Sequence, residues 1–179
     1  IIRRLSVTEH QSARIDHIDN DVTTYYGDLL DEPSLNRIIK QVQPDEIYNI
    51  AAMSHVRISF DVPAFTIKTN SQGVLNMLEA TKEHAPHAKF YQASSSEMFG
   101  NQVDEDGCQR LSTPMVPVSP YGCSKVMAFN LVNLYRESYG MKCYNGVLFN
   151  HESPRRGTNF VTNKIIKSAI NIFRGTQDT

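Results

Sequence analysis

The sequence predicts an α/β fold: a parallel sheet covered by helices on both faces. Three observations carry this. Strand-like runs alternate with segments of helical periodicity along the whole chain. The strand-like runs are short and mostly apolar rather than strictly alternating, as in strands buried on both sides. Polar clusters recur just after these runs, at the edge where parallel sheets bind ligands.

Taken in order, Ile1-Ile2-Arg3-Arg4 reads as the end of a strand. Val22–Tyr26 is β-branched and aromatic and stops at Gly27-Asp28, a short strand and turn. Leu35, Ile38, Ile39 and Val42 recur at i, i+3, i+4 and i+7, an amphipathic helix with Pro33 suited to its first turn. Glu46–Ala51 reads as a buried strand. Val74, Leu75, Leu78 and Thr81 share one face of a second helix. Lys89–Ala93 is another strand, and a proline-bearing loop covers 100–120. Met127, Leu131, Leu134 and Tyr135 mark a third helix starting near Tyr121. Cys143–Phe149 is a strand, and Val161, Ile165, Ala169, Ile172 and Phe173 mark a last helix. No internal repeat or linker interrupts the chain.

A dinucleotide-binding sheet opens with strand, glycine-rich turn and helix. No Gly-x-x-Gly-x-x-Gly run occurs here, so the first such unit is expected to be missing from the residues given. The abrupt end at Thr179 is expected to leave most of a second domain outside them.

With 179 residues the chain can bury a sizeable core, and its 40% apolar and 21% charged composition is ordinary for a globular protein. A formal net charge of −1 gives no reason to expect a nucleic acid or an anionic membrane as partner. No run approaches the roughly 20 apolar residues that span a bilayer, and no signal-peptide pattern opens the chain. Cys108, Cys123 and Cys143 are odd in number and widely spaced. They fit neither a metal site nor a disulfide framework, and free thiols in a reducing compartment, the cytoplasm, are the expectation.

Five polar clusters fall at the expected strand ends: Arg3-Arg4, Asp28-Leu29, Ser54-His55, Ser94–Glu97 and Asn150–Glu152. The sharpest motif is Ser-Pro-Tyr-Gly-Cys-Ser-Lys, residues 119–125. Tyr121 and Lys125, four apart, project from one helix face. An ammonium near a phenol lowers its pKa from about 10, and the phenolate can then take a hydroxyl proton as hydride leaves the same carbon. An ordinary surface Tyr/Lys pair is the bland alternative. Its place after Ser-Pro, about 25 residues beyond a serine-rich strand end, favours chemistry. Ser95 offers a hydroxyl and Glu97 a carboxylate able to act as base and then acid; a helix cap beside a solvated glutamate reads equally well locally. Arg3 and Arg4 can hold a phosphate through charge-assisted bonds, which favours NADP over NAD, or lie in solvent. His151 alone reads as structural, and His55 has no partner at metal-ligand spacing.

These residues resemble those of GDP-mannose 4,6-dehydratases, members of the extended short-chain dehydrogenase/reductase family. The resemblance covers nearly the whole chain. It is most specific in Asn-His-Glu-Ser-Pro-Arg-Arg-Gly, residues 150–157, continuing through Asn159-Phe160-Val161-Thr162. Ser54-His55-Val56, Arg57–Phe60, Ala13-Arg14-Ile15, Gly27-Asp28-Leu29 and Gln92-Ala93-Ser94 are similar too.

The resemblance implies a Rossmann-type, doubly wound parallel sheet lacking its first βα unit, with residues 1–150 a partial NADP-binding domain and 151–179 the start of the substrate-binding region. It implies that Arg3, Arg4 and Ser6 hold the NADP adenosine phosphate and that Asp28 and Leu29 meet adenine. Ile50, Ala51, Ala52, Met53 and Ser54 then run beneath the cofactor. Tyr121 and Lys125 form the catalytic pair with Ser95 and Glu97, Lys125 also binding the nicotinamide ribose. His151 and Arg156 match further cofactor positions, and Asn150, Val161 and Lys164 match sugar-nucleotide positions. No metal is implied. The implied partners are a small-molecule GDP-sugar and further copies of the chain, as a dimer or tetramer.

Four residues depart from the family pattern: Ser95 for threonine, Met53 for glutamine, Phe65 for tyrosine and Asn163 for arginine. Serine keeps the hydroxyl, Phe65 cannot donate one, and Asn163 removes a positive charge. A GDP-heptose substrate, a sugar-nucleotide reductase or epimerase, and a non-catalytic fragment are the alternatives.

Overall fold

Every strand pairing among the described residues is parallel. In a computed structural model, residues 1–3, 16–155, 157 and 160–178 are described, with Arg3, Asp16 and Asp19 described by backbone only. The chain forms two units, Ile1–Phe149 and Asn150–Thr179.

In the first unit β1 (Ile2–Arg3) pairs with β2 (Tyr25–Tyr26). A second sheet has the order β3 (Glu46–Asn49), β4 (Lys89–Ser95), β5 (Cys143–Leu148). No pairing joins β1 to β3 among the described residues. In the doubly wound order 3-2-1-4-5-6 the first strand sits between the second and fourth. The sheet is therefore interrupted where that strand belongs, and the molecule shows a partial Rossmann-like domain.

Helix α1 (Glu32–Val42) starts with proline in its first turn and buries Leu35, Ile38 and Ile39, the face expected from their spacing. After β3 come two short helices, α2 (Val56–Asp61) and α3 (Pro63–Ile67), then a π-helical turn over Lys68–Gln72 that runs into α4 (Gly73–His84). The sequence reading left 56–72 without helices; one-turn elements are too short to show periodicity. The longest helix, α5 (Pro120–Tyr139), lies between β4 and β5.

The core unites α1, α4 and α5 with one face of the β3–β5 sheet: Leu35, Ile39, Val74, Leu78, Phe90, Val132, Tyr135 and Cys143. The other sheet face carries Tyr48, Tyr91 and Tyr144 in register, and Tyr48 is 64% exposed. That face is exposed at Tyr48 and Tyr144 and buried farther along β4, at Ala93 and Ser95. In α5 the core side is Ala128, Val132 and Tyr135, while Met127 and Leu134 lie on the outer side, about half exposed. Of the four residues whose spacing marks this helix, Leu131 and Tyr135 thus meet the core and Met127 and Leu134 do not. In the second unit α6 (Val161–Phe173) is amphipathic but buries no residue. Among the described residues no helix is long and apolar enough to cross a membrane.

Candidate active site

The site is built where β4 ends and α5 begins. Ser119 adopts extended backbone and its Oγ accepts the Gly122 N–H at 3.0 Å, capping α5, while Pro120 fills the first helical position. This fixes Tyr121 and Lys125 one turn apart on the buried side of the helix. Tyr121 is 9% and Lys125 4% exposed, which rules out the reading of a solvated surface pair. The Lys125 ammonium lies 5.7 Å from the centre of the Tyr121 ring and donates to the Ala93 carbonyl at 2.8 Å. Burial brings its pKa down to about 8, because the charged form loses hydration. Lys125 enters no ion pair among the described residues.

Buried amides brace this arrangement. The Ala93 oxygen also accepts from Gln92 Nε2 at 3.1 Å, and Gln92 Oε1 accepts from Asn49 Nδ2 at 2.8 Å. Asn70, on the π turn, accepts the Met53 N–H at 2.8 Å and donates at 3.0 Å both to the Met53 carbonyl and to Ser124 Oγ. Ser124 Oγ in turn donates to the Tyr121 carbonyl at 2.6 Å. Ser59 Oγ accepts the Tyr121 N–H at 3.3 Å. The segment after β3 and the first turn of α5 are thereby tied to one side chain. Ser59, Gln92 and Ser124 belong to stretches quoted from the sequence but have no role there, and Asn49 and Asn70 are not singled out at all; a polar residue just before an apolar helix face, as Asn70 is before Val74, is the available signal.

Ser95 ends β4, and its Oγ accepts the Glu97 N–H at 3.2 Å, capping the one-turn 3₁₀ helix Ser96–Met98. The capping alternative is thus realised, yet the hydroxyl keeps its own proton as a donor. Glu97 is half-buried, and its backbone lies against Gly122 of α5. Ser95, Glu97, Tyr121 and Lys125 are accordingly brought to one place.

The other expected residues are distributed along the fold. Ala52 and Met53 after β3 are half-buried, and Ile50, Ala51 and Ser54 are exposed. Asp28 and Leu29 follow β2, where Asp28 Oδ1 accepts the Leu30 N–H at 2.9 Å. His55 caps α2 by accepting the Ile58 N–H, a structural role. Asn150, His151, Val161 and Lys164 belong to the second unit and are exposed there. Arg4, Ser6 and Arg156 lie outside the described residues, as does the Arg3 side chain.

The sequence profile described as GDP-mannose 4,6 dehydratase matches residues 1–179. A GDP-mannose 4,6-dehydratase of Yersinia enterocolitica is 45% identical over 188 residues, which cover 99% of this chain and 49% of that one. One of Homo sapiens is 47% identical over 161 residues, covering 89% and 43% respectively. The chain spans about half the length of the curated relatives it matches. Among solved structures, a dTDP-glucose 4,6-dehydratase of Streptomyces venezuelae with NAD bound superimposes with a TM-score of 0.82 at 26% identity, over 97% of this chain and 52% of that one. A UDP-glucose 4-epimerase of Thermus thermophilus reaches 0.82 at 23% identity, covering 99% and 56%, a likeness of fold alone. Since one fold serves both chemistries, it is the profile match along the whole chain, with the identities of 45% and 47%, that decides: the chain belongs to the GDP-mannose 4,6-dehydratase family.

Proposed function

We propose that this chain carries the catalytic residues of an NADP-dependent GDP-mannose 4,6-dehydratase, a hydro-lyase converting GDP-D-mannose to GDP-4-dehydro-6-deoxy-D-mannose. The observation that carries the reading is that the Glu97 turn lies against the turn of α5 bearing Tyr121 and Lys125. An oxidation alone needs the tyrosine and lysine; a dehydration also needs a carboxylate beside them.

The site suits a nicotinamide cofactor at its reactive end. The buried Lys125 ammonium, held by a carbonyl and no carboxylate among the described residues, has donors to offer ribose hydroxyls. When bound, that cofactor accepts a hydride from the sugar and returns it, so no net oxidation results. Tyr121, with the Lys125 ammonium 5.7 Å from its ring centre, takes the proton of the C4 hydroxyl. Ser95 donates a hydrogen bond to the same oxygen. The resulting 4-keto group acidifies the C5 proton, which Glu97 removes and then delivers to the hydroxyl departing from C6 as water.

By the family resemblance, Asp28 and Leu29 are assigned to adenine, and Arg3, Arg4 and Ser6 to the adenosine phosphate. Ile50 to Ser54, His151 and Arg156 complete the cofactor contacts, and Asn150, Val161 and Lys164 those to the GDP-sugar. The paired arginines are the reason for NADP rather than NAD. Residues 151–179 then open the substrate-binding region. A cytoplasmic setting and assembly of copies through the exposed Met127–Leu134 side of α5 complete the reading.

The test uses the complete protein with GDP-mannose and NADP. The 4-keto-6-deoxy sugar should form without net change in NADPH, and Glu97→Gln should stall after oxidation at C4. Stoichiometric NADPH consumption, or a Glu97→Gln variant with full turnover, would instead assign a reductase or epimerase.

A further inference from the structure

The contact between the Glu97 turn and α5 is closer than side chains allow. A Cβ added at Gly122 would stand 2.7 Å from the Glu97 carbonyl oxygen and 2.9 Å from Pro117 Cβ. Just beyond the same turn, Gly100 has φ +59°, and a Cβ there would meet the Val116 carbonyl oxygen at 2.1 Å. Gly100 N–H also donates to the Glu97 oxygen at 3.3 Å. The nearest obstacle at each glycine is a backbone oxygen, which cannot swing aside as a side-chain tip can. The distance from Glu97 to Tyr121 is therefore fixed by two backbones in contact.

We propose that Gly122 is a positioning residue that sets the distance between Glu97 and the Tyr121–Lys125 pair, and so couples oxidation at C4 to elimination across C5 and C6. The inference rests on the roles given to these residues above. A methyl group at 122 must part the backbones by about 0.7 Å, the gap between 2.7 Å and the 3.4 Å at which ordinary contact begins. The side that yields is the three-residue turn. The added Cβ also comes within 3.3 Å of Ser119 Oγ, but helix α5 is pinned independently by the Lys125–Ala93 bond and the Asn70–Ser124 bond. Tyr121 and Lys125 thus keep their places while Glu97 retreats from C5.

The two half-reactions then separate. In the first, C4 loses hydride to the cofactor and its hydroxyl proton to Tyr121: the sugar is oxidised and NADP⁺ reduced. In the second, C5 gives its proton to Glu97, which passes it to the departing C6 hydroxyl as water; C6 then takes the hydride back while Tyr121 returns its proton to C5. Only the second needs Glu97 within reach.

Gly122→Ala in the complete protein, mixed with GDP-mannose and NADP and followed at 340 nm through one turnover, tests this. The expected result is NADPH formed at the unmodified rate and consumed about 100-fold more slowly, since a displacement of this size costs about that much. The rise of the trace should match that of Glu97→Gln, followed by a slow decline that the Gln variant lacks. A crystal structure of the variant should show residues 96–98 moved away from α5, with Tyr121 and Lys125 in place. Formation and consumption of NADPH slowed together, no change in either, or an unmoved turn would overturn the proposal. If Gly122→Ala does not fold, Gly100→Ala, which forces the residue bonded to the Glu97 oxygen off the Val116 carbonyl, is read the same way. If the unmodified protein makes no 4-keto sugar, the functional reading fails, and the position of the turn in the variant structure still judges the spacing.

Discussion

Lys125 should make the protein less stable at neutral pH than a methionine in its place. The lysine pKa falls from 10.5 to about 8 in the fold, and burial is the cause. At about 1.4 kcal/mol per pKa unit, an ammonium buried at pH 7 costs on the order of 3 kcal/mol relative to the neutral amine. The sign follows from which state holds the proton more tightly. The folded pKa is depressed, so between pH 8 and 10.5 the unfolded chain binds more protons, and stability rises with pH across that window. Below pH 8 and above 10.5 this contribution is flat. Methionine has similar length and no proton, so Lys125→Met should be more stable by up to about 3 kcal/mol at pH 7. That advantage should shrink to nothing by pH 10.5, while the proposed activity is lost throughout. The Ala93 carbonyl stays satisfied in the variant because Gln92 still donates to it. Urea titrations of the two proteins at several pH values from 7 to 10.5 measure the difference. Parallel stability curves through that window would refute the reasoning, since the ammonium would then carry no burial cost.

Two further substitutions test the frame around the site. Ser119→Ala removes the cap of α5 and should lower stability by about 1 kcal/mol, read from the urea midpoint; an unchanged midpoint would deny the cap its role. Asn70→Leu leaves the Met53 N–H and carbonyl without their side-chain partner inside the protein and should cost about 3 kcal/mol by the same assay. A loss below about 0.5 kcal/mol, the range of an ordinary surface change, would show that the clamp contributes little.

The parts of the fold visible in the sequence were those where local pattern and burial agree. Leu35, Ile38 and Ile39 lie on the buried side of α1, and Phe90 lies buried in β4. The Tyr121–Lys125 spacing placed both groups on the buried side of α5 because i, i+4 geometry is a property of the helix alone. What was not visible depends on residues distant in sequence. Asn70 reaches Met53 across 17 residues and Ser124 across 54, contacts that no periodicity encodes. Of the residues whose spacing marks α5, Leu131 and Tyr135 meet the core while Met127 and Leu134 face outward, because apolar identity alone does not say which face a neighbour covers. Gly122 read as part of a motif; its steric meaning needed the position of the Glu97 carbonyl.

The π turn at Lys68–Gln72 has a consequence for how this segment can vary. In an uninterrupted α-helix each residue advances about 100° around the axis. The wider turn shifts that phase, so Asn70 and Ser71 point at α5 while Val74 and Leu78, directly afterwards, still enter the core. One continuous rod thereby serves two differently oriented partners. Substitutions change one partner at a time, whereas deleting a single residue from the turn would rotate everything beyond it. Length, more than residue identity, is what this stretch has to conserve.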